Sequence, residues 1–383
     1  MKKQFFLVSI LSVLLLTACN GGGNGDKSQA PGQSSAPVEE PDIIIPDEID
    51  EEQPENDFHT ELQWSYIVDP DWKNVKEYVP TTNAERSGSG IEQSKPLPIK
   101  FELEVDDDDQ YFFEIDEEKD FSSPRRFEVD KKEVEVYNLE IGRRYYYRAA
   151  VSEEALAEAE VKEYRVYGAA PRNLNIDGMI NFRDIGGWKS DLVEGGYINQ
   201  GLYYRCAQFD SITAAGKAEI KRLGIKVDID MRDRPPAASP AKSDDWDVEI
   251  LDAHIASGTE STRWSGFAST YKAIFEAIAE ADEKPIALHC THGADRTGIA
   301  SFFLGGLLGM SVEDLGKDYM FTRYAGERAV WWETEFKGWV SNTEALEGDT
   351  FADKMFNHLL SKGIEEDTLY TIREKFVEGY ERP

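Results

Sequence analysis

Apolar and polar positions fall into three regimes along the chain. Phe5 to Leu16 is an almost unbroken apolar run behind Lys2 and Lys3. From about residue 58 to 166 apolar and polar residues alternate. Ile99, Phe101, Leu103 and Val105 fall on one face of an extended segment and Lys100, Glu102 and Glu104 on the other. A period of two predicts half-buried strands, here and at 111–115, 126–129, 134–137, 145–151 and 164–167. A helical turn is expected near 155–161. After Gly168, Ala169, Ala170 and Pro171 the rhythm changes to strand then helix. Buried-type strands are predicted at 226–231, stopped by Pro235 and Pro236, and at 248–253. A helix over 265–281 carries Phe267, Tyr271, Ile274, Phe275 and Ile278 on one stripe. Ser311 and Asp314 mark the capped start of another helix, and 364–380 predicts a C-terminal one. Strand–helix alternation implies an α/β domain with a central sheet flanked by helices, preceded by an all-β sandwich.

Composition refines this picture in one respect. With 383 residues, 40% hydrophobic and 11% aromatic, the chain has material for two cores plus tails. Its formal charge is −32, but residues 38–61 and 101–120 together supply −21 of it. The acidity therefore belongs to a linker and one N-terminal face. It excludes nucleic acid as a partner, which calls for basic patches. The run Asp106 to Asp109 lacks the Gly and distal Glu of an EF-hand loop, so a solvated turn is expected rather than a metal site. Residues 20–57 are rich in Gly, Asn and Ser, then in Pro, then in acid; such a segment cannot bury enough apolar surface to fold.

The N-terminal apolar run is short for a membrane span. It ends in Leu16, Thr17, Ala18 and Cys19, which resembles the lipobox of bacterial lipoproteins. The resemblance implies a signal over 1–19, lipidation of Cys19, and an extracytoplasmic protein held to a membrane by lipid. The alternative is an ordinary cleaved signal or a short anchor helix. In the alternating region, Leu139, Glu140, Ile141 and Gly142, followed by Tyr145, Tyr147, Arg148 and Val151, resemble the late strands of fibronectin type III domains. This sets the β-sandwich at 58–168, with an unknown partner or a spacer role, and the catalytic domain at 169–383.

The chemistry concentrates between His289 and Gly298. An apolar run leads into His289 and Cys290; Arg296, Thr297 and Gly298 follow, then another apolar run. That is a strand, a tight loop and a helix. A loop of this length curls backbone N–H groups into an anion nest at a helix N-terminus. Arg296 adds a planar fork for two phosphate oxygens. The same positive field lowers the pKa of a thiol, making Cys290 a nucleophile able to form a phosphocysteine. Thr297 is placed to donate its hydroxyl to the sulfur, and Gly293 and Gly298 permit the tight turn. Thr291, His292, Gly293, Ala294 and Gly298 are the candidate substrate-binding positions. His289 is expected to orient the loop and tune the thiolate.

Cys290 followed by Arg296 and Thr297 in this setting is the signature of cysteine-dependent protein tyrosine phosphatases. The segment Asn181, Phe182, Arg183, Asp184, Ile185, Gly186, Gly187, with 201–205, 223–232 and His289–Gly298 in order, resembles a bacterial tyrosine phosphatase family. The resemblance covers residues 172–383 and implies no metal and no organic cofactor. It also implies a phosphorylated protein or small phosphomonoester as substrate. For the general acid it favours Asp295, with Asp233 and then Asp184 behind it; Arg183 and Asp184 are alternatively an ion pair bracing the core. Two positions depart from the family pattern. Ala294 stands where relatives acting on phosphoinositides often carry Lys, and Cys206 stands where Ser is usual. Cys206 is either a buried stand-in for Ser or a redox partner of Cys290. Three functions remain open on sequence alone: a tyrosine phosphatase, a phosphoinositide or inositol phosphate phosphatase, or an inert phosphatase-fold surface binding protein.

Overall fold

The computed structural model describes residues 55–74, 92–106, 108–233, 248–256, 260–326 and 332–383. The export signal, Cys19 and the linker up to residue 54 lie outside the described residues. The chain first forms α1 (Glu61–Ile67) and a 3-10 turn, Pro70–Asn74. Thr60 and Gln63 cap α1 reciprocally, satisfying two otherwise orphaned backbone donors. This corrects the expectation of β-structure from residue 58. Leu62, Tyr66 and Ile67 follow helical spacing, and Tyr66, Ile67 and Trp72 pack into the core of the α/β domain. The Tyr66 hydroxyl donates to Lys317 O at 2.8 Å. The α/β domain thus begins with a segment that precedes the β-module in sequence.

The module contains β1 (Ile99–Glu102), β2 (Tyr111–Asp116), β3 (Arg125–Val129), β4 (Glu133–Val136), β5 (Arg144–Ala150) and β6 (Lys162–Arg165), with the short α2 (Glu153–Leu156) before β6. One sheet has the order β3-β2-β5-β6 and the other pairs β1 with β4, all antiparallel. Phe101, Phe113, Ile115, Val134, Val136 and Tyr145 fill the space between them, as the period-two pattern requires.

The second sheet is mixed. Its strands are β7 (Arg172–Asn173), β8 (Arg183–Asp184), β9 (Tyr203–Cys206), β10 (Val227–Asp230), β11 (Glu249–Asp252) and β12 (Ile286–His289). The order is β11-β10-β12-β9-β8-β7. The strands β11, β10, β12 and β9 are parallel, and β8 and β7 close one edge antiparallel. Every residue of β9, β10 and β12 is buried, because helices cover both faces. On one face lie α4 (Glu260–Ser265), α5 (Ala268–Ile278), α6 (Asp295–Leu307), α7 (Val312–Phe321), α8 (Lys337–Glu344), α9 (Phe351–Ser361) and α10 (Glu366–Phe376), around a core that includes Leu288, Ile299 and Phe303. On the other, α3 (Ala214–Arg222) contributes Ile220 to a smaller cluster with Tyr204, Cys206 and Ala287. The single helix expected over 265–281 is divided at Gly266 and Phe267, whose φ is +57°; the Tyr271, Ile274, Phe275 and Ile278 stripe is buried as expected. Of the anticipated capping box at α7, the Ser311 half forms, with Ser311 Oγ accepting from Asp314 N at 3.0 Å.

The β-module is clamped to this domain. The Gln200 side chain accepts from Ile141 N at 3.0 Å and donates to Ile141 O at 2.9 Å. Asn138 accepts from Asn175 N at 2.7 Å, and Arg172 lies 3.4 Å from Glu140. Even Asp57, at the end of the predicted linker, is paired with the Tyr167 backbone in both directions.

Candidate active site

Strand β12 is central, between β10 and β9, neither of which is its neighbour in sequence. In an open parallel sheet the carboxyl end of such a strand opens into a crevice, the usual place for a ligand. The residues 290–294 turn there from β12 into α6. The helix is buried on all sides from Thr297 to Leu307, so its axis and dipole are fixed, and its N-terminus faces the loop.

The loop is shaped by what holds its carbonyls. His289 Nδ1 donates to Cys290 O at 3.0 Å. Gln208 N donates to Thr291 O at 3.2 Å. Asn181 Nδ2 donates to His292 O at 3.0 Å and Gly293 O at 3.2 Å, and Arg205 Nη2 donates to Gly293 O at 2.9 Å. Each carbonyl from 290 to 293 is thus tied into the protein. In a trans peptide the N–H of the next residue points the opposite way. The amides of residues 291 to 294 therefore face the other side of the loop, where together they form an anion nest. Gly293 has φ +69°, and a Cβ there would sit 2.5 Å from Cys206 O. Only glycine satisfies both conditions.

Behind these ties lies a buried ionic network. Arg183 Nε donates to Asp318 Oδ1 at 2.8 Å, Arg183 Nη1 to Asn181 Oδ1 at 2.5 Å, and Arg205 pairs with the other oxygen of Asp318. Burial opposes the charge of Asp318, but the two arginines outweigh it and hold its carboxyl below the usual range. The network fixes Asn181 and Arg205, which fix the loop.

Cys290 is only 4% exposed. Burial by itself would raise its pKa. The Thr297 hydroxyl and amide, then Arg296 and the His292 amide, more than offset this and bring the thiol below its ordinary value. Among the described residues Thr297 Oγ1 has no other hydrogen-bond partner, which leaves its proton to the sulfur. His289 Nε2 is 2.9 Å from Asp228 Oδ1, with Asp230 at 4.0 Å from Nδ1. Despite complete burial, these carboxylates push His289 up to about 9. The charged form of the imidazole is thereby favoured. Arg296 is seated by Met231 O at 3.2 Å and Ile255 O at 3.3 Å, and reaches Thr291 Oγ1 at 3.5 Å.

Among the expected site residues, Cys290, Thr291, Gly293, Ala294, Arg296, Thr297 and His289 come together here, and Asp295 opens α6 beside them. His292 is exposed. Gly298 is a packing residue rather than a substrate contact. Its amide donates to Ala294 O at 2.7 Å, and a Cβ would meet the Tyr319 ring at 2.8 Å. Asp184 is fully buried, bonded to Arg172 Nη1 at 3.0 Å and to the amides of Gly186 and Gly201. Asp184 and Arg183 thus brace the domain, but not as the ion pair expected: Asp184 pairs with Arg172 and Arg183 with Asp318, and Asp184 is removed from the acid candidates. Asp233 is half-exposed, 3.8 Å from Arg296 Nη1. Cys206 and Cys290 are both free thiols, and they belong to clusters on opposite faces of the sheet. That placement favours Cys206 as a buried filler.

Sequence reasoning missed Asp318, the bracing role of Arg205, and His254. His254 follows β11 at the rim, with Nδ1 3.2 Å from Arg232 O and 3.1 Å from Asp233 Oδ1. These residues lie far from the loop in sequence, so no motif marked them.

Comparison with known proteins points to one family. The model of the tyrosine phosphatase family matches residues 174–381. A tyrosine-protein phosphatase of Nostoc commune is 27% identical over 145 residues, covering 32% of this chain and 48% of that protein. A putative tyrosine-protein phosphatase of Cupriavidus necator is 24% identical over 171 residues, covering 39% and 62%. The chain therefore spans about half the length of the curated relatives it matches. Among solved structures, P. aeruginosa TpbA aligns at 15% identity over 46% of this chain and 96% of its own, with a TM-score of 0.31. The core catalytic domain of a PP-IP phosphatase from S. cerevisiae aligns at 14% identity, over 51% and 96%, with a TM-score of 0.30. With more than half of its length matched by the family model, the chain belongs to the tyrosine phosphatase family.

Proposed function

We propose that the chain is a phosphomonoester hydrolase that works through a phosphocysteine, with protein phosphotyrosine as its substrate class. The observation that carries this is Cys290, a thiol of lowered pKa beneath Thr297 and Arg296 in a loop whose amides at 291 to 294 converge. The nest and Arg296 bind the phosphoryl oxygens. The thiolate attacks phosphorus while the bond to the aryl oxygen breaks, and Asp295 gives that oxygen its proton. Water then attacks the phosphocysteine, returns a proton to Asp295, and releases the sulfur as a thiolate supported by Thr297. Asp233, with His254, is the second candidate for the acid. Hydrolysis of an aryl phosphate, lost in Cys290→Ser, is the expected result. Activity that survives this change, or that demands a divalent metal, overturns the mechanism.

Ala294 is buried at the place where a lysine would add charge beside the phosphate. This counts against multiply phosphorylated inositols as substrates. The β-module is read as a fibronectin type III-like domain. The reading is supported by its strand order and by Tyr145, whose hydroxyl accepts from Glu140 N at 3.0 Å in the manner of a tyrosine corner. The lipobox around Cys19 supports a lipoprotein tethered outside the cytoplasm. Cys19→Ala is expected to leave the protein without fatty acid and free of the membrane; continued membrane retention without acyl label contradicts the tether.

A further inference from the structure

The Arg296 side chain is only 11% exposed, so its charge sits where little water reaches it. Its guanidinium rests on two carbonyls, Met231 O at 3.2 Å and Ile255 O at 3.3 Å. Both accept, but neither carries a formal charge. Met231 stands two residues before Asp233, and Ile255 directly follows His254. The two stretches of chain that seat the cation therefore also bring Asp233 and His254 against it. Asp233 Oδ1 lies 3.8 Å from Arg296 Nη1, too far for a direct hydrogen bond, and 3.1 Å from His254 Nδ1. A carbonyl can only accept, so the 3.2 Å contact between His254 Nδ1 and Arg232 O puts a proton on Nδ1. The same N–H faces Asp233. Arg232, between Met231 and Asp233, sends its guanidinium to Asp230 at 2.7 Å, Asp210 at 2.8 Å and Gln208 at 3.1 Å. Asp233 and His254 are each about half exposed.

We propose that Asp233 is the resting counter-ion of Arg296 and that His254 holds it back, so that an incoming phosphate monoester meets an open pair rather than a closed one. This inference rests on the reading of Arg296 as the fork for the phosphoryl oxygens. It makes Asp233 and His254 positioning residues, which act on the substrate through Arg296 and not on the leaving group. A closed arginine–carboxylate pair is bidentate, at about 2.7–2.9 Å, and a phosphate would have to break two charge-assisted hydrogen bonds to enter. With no counter-charge at all, a guanidinium so little exposed would be left uncompensated whenever the nest is empty. Asp233 at 3.8 Å lies between these limits. The His254 N–H and the Arg232 carbonyl that orients it supply the competing contact on the other side of the carboxylate. When phosphate binds, two anions face one cation. Like charges disfavour each other there, and the half-exposed Asp233 turns toward His254 and solvent. Product release lets it return.

The test is the affinity for inorganic phosphate, measured by direct titration at low salt. Asp233→Asn keeps the shape and removes the charge. It is expected to tighten phosphate about threefold to fivefold, the size of a partly exposed ion pair. His254→Ala lets Asp233 close on Arg296 and is expected to weaken phosphate about as much. It also provides the test if Asp233→Asn does not fold. In the double variant the change at His254 should have no effect, because it acts only through the Asp233 carboxylate. Phosphate that binds more weakly to Asp233→Asn, or a His254 effect that persists beside Asp233→Asn, overturns the proposal. So does an unchanged phosphate affinity in Asp233→Asn joined to a selective loss of kcat on phosphotyrosine, relative to an aryl phosphate whose phenol leaves without a proton; that result makes Asp233 the acid. Arg296→Ala separates the two readings. If it loses phosphate while Asp233→Asn changes nothing, the counter-ion alone is overturned. If it binds phosphate as the unaltered protein does, the phosphate fork is overturned and the counter-ion with it.

Discussion

Cys290 and His289 are neighbours that titrate in opposite directions. The thiol is lowered and the imidazole is raised to about 9, so the loop favours the anion on one and the cation on the other. The contribution of His289 to stability follows from the sign of its shift. A folded pKa above the unfolded value of about 6.5 means that the stabilisation is full below about 6.5 and lost as pH rises through about 9. Asp228→Asn removes the main partner. It should cost a few kcal/mol at pH 6, on the order of a broken buried ion pair, and much less at pH 10; chemical unfolding at the two pH values checks this. A cost independent of pH would mean that His289 is neutral. The same variant should slow alkylation of Cys290 by iodoacetamide at pH 6, since a neutral imidazole no longer favours the thiolate.

At the scale of the element, the loop and helix are held by groups from distant parts of the chain. Asn181 reaches His292 across a separation of 111 residues, and Arg183 reaches Asp318 across 135. Asn181→Ala frees the His292 carbonyl, leaves Gly293 O to Arg205 alone, and lets the peptide planes rotate. Loop displacements of this kind cost about a hundredfold in turnover, so kcat/KM on an aryl phosphate should fall about that much while the melting temperature changes little. A parallel loss of melting temperature would instead mark Asn181 as a fold residue. These distances also explain what was legible in the sequence. Cys290, Arg296 and Thr297 could be read because nucleophile, cation and hydroxyl share one turn of chain. The strands 227–230 and 249–252 could be read because aliphatic residues cluster there, at Val227, Ile229, Ile250 and Leu251. The roles of Arg205, Asp318 and His254 could not, because they arise only when β9, α7 and the segment after β11 are brought together. The helical start at 61–67 was misread for a related reason. Leu62, Trp64 and Tyr66 alternate with polar residues as in a strand, and its partner surface, on α7 and the turn that follows, lies some 250 residues further on.

For the whole molecule, the β-module is inserted between two parts of the α/β domain rather than strung ahead of it. Tyr66 and Trp72 leave the chain before the module and belong to the core after it. Trp72 is fully buried, with its indole N–H donating to Tyr66 O at 2.9 Å. Trp72→Ala should destabilise the phosphatase domain by about 3–5 kcal/mol, although it lies outside residues 174–381 matched by the family. A melt in which only the β-module weakens would contradict this arrangement. The module also fixes Gln200 and Arg172 on the domain surface, so its orientation toward the active site is set by the fold and not by a flexible linker.

The central claim concerns Cys290, and mass spectrometry of the rapidly quenched enzyme reaches it most directly. Mixed with an aryl phosphate and stopped in acid during turnover, the enzyme should carry one phosphoryl group on Cys290. The labelled fraction should rise in Asp295→Asn if Asp295 also assists hydrolysis of the intermediate, and label should be absent in Cys290→Ser. Turnover with no phosphoryl group on Cys290 at any time, or label on another residue, would contradict the account.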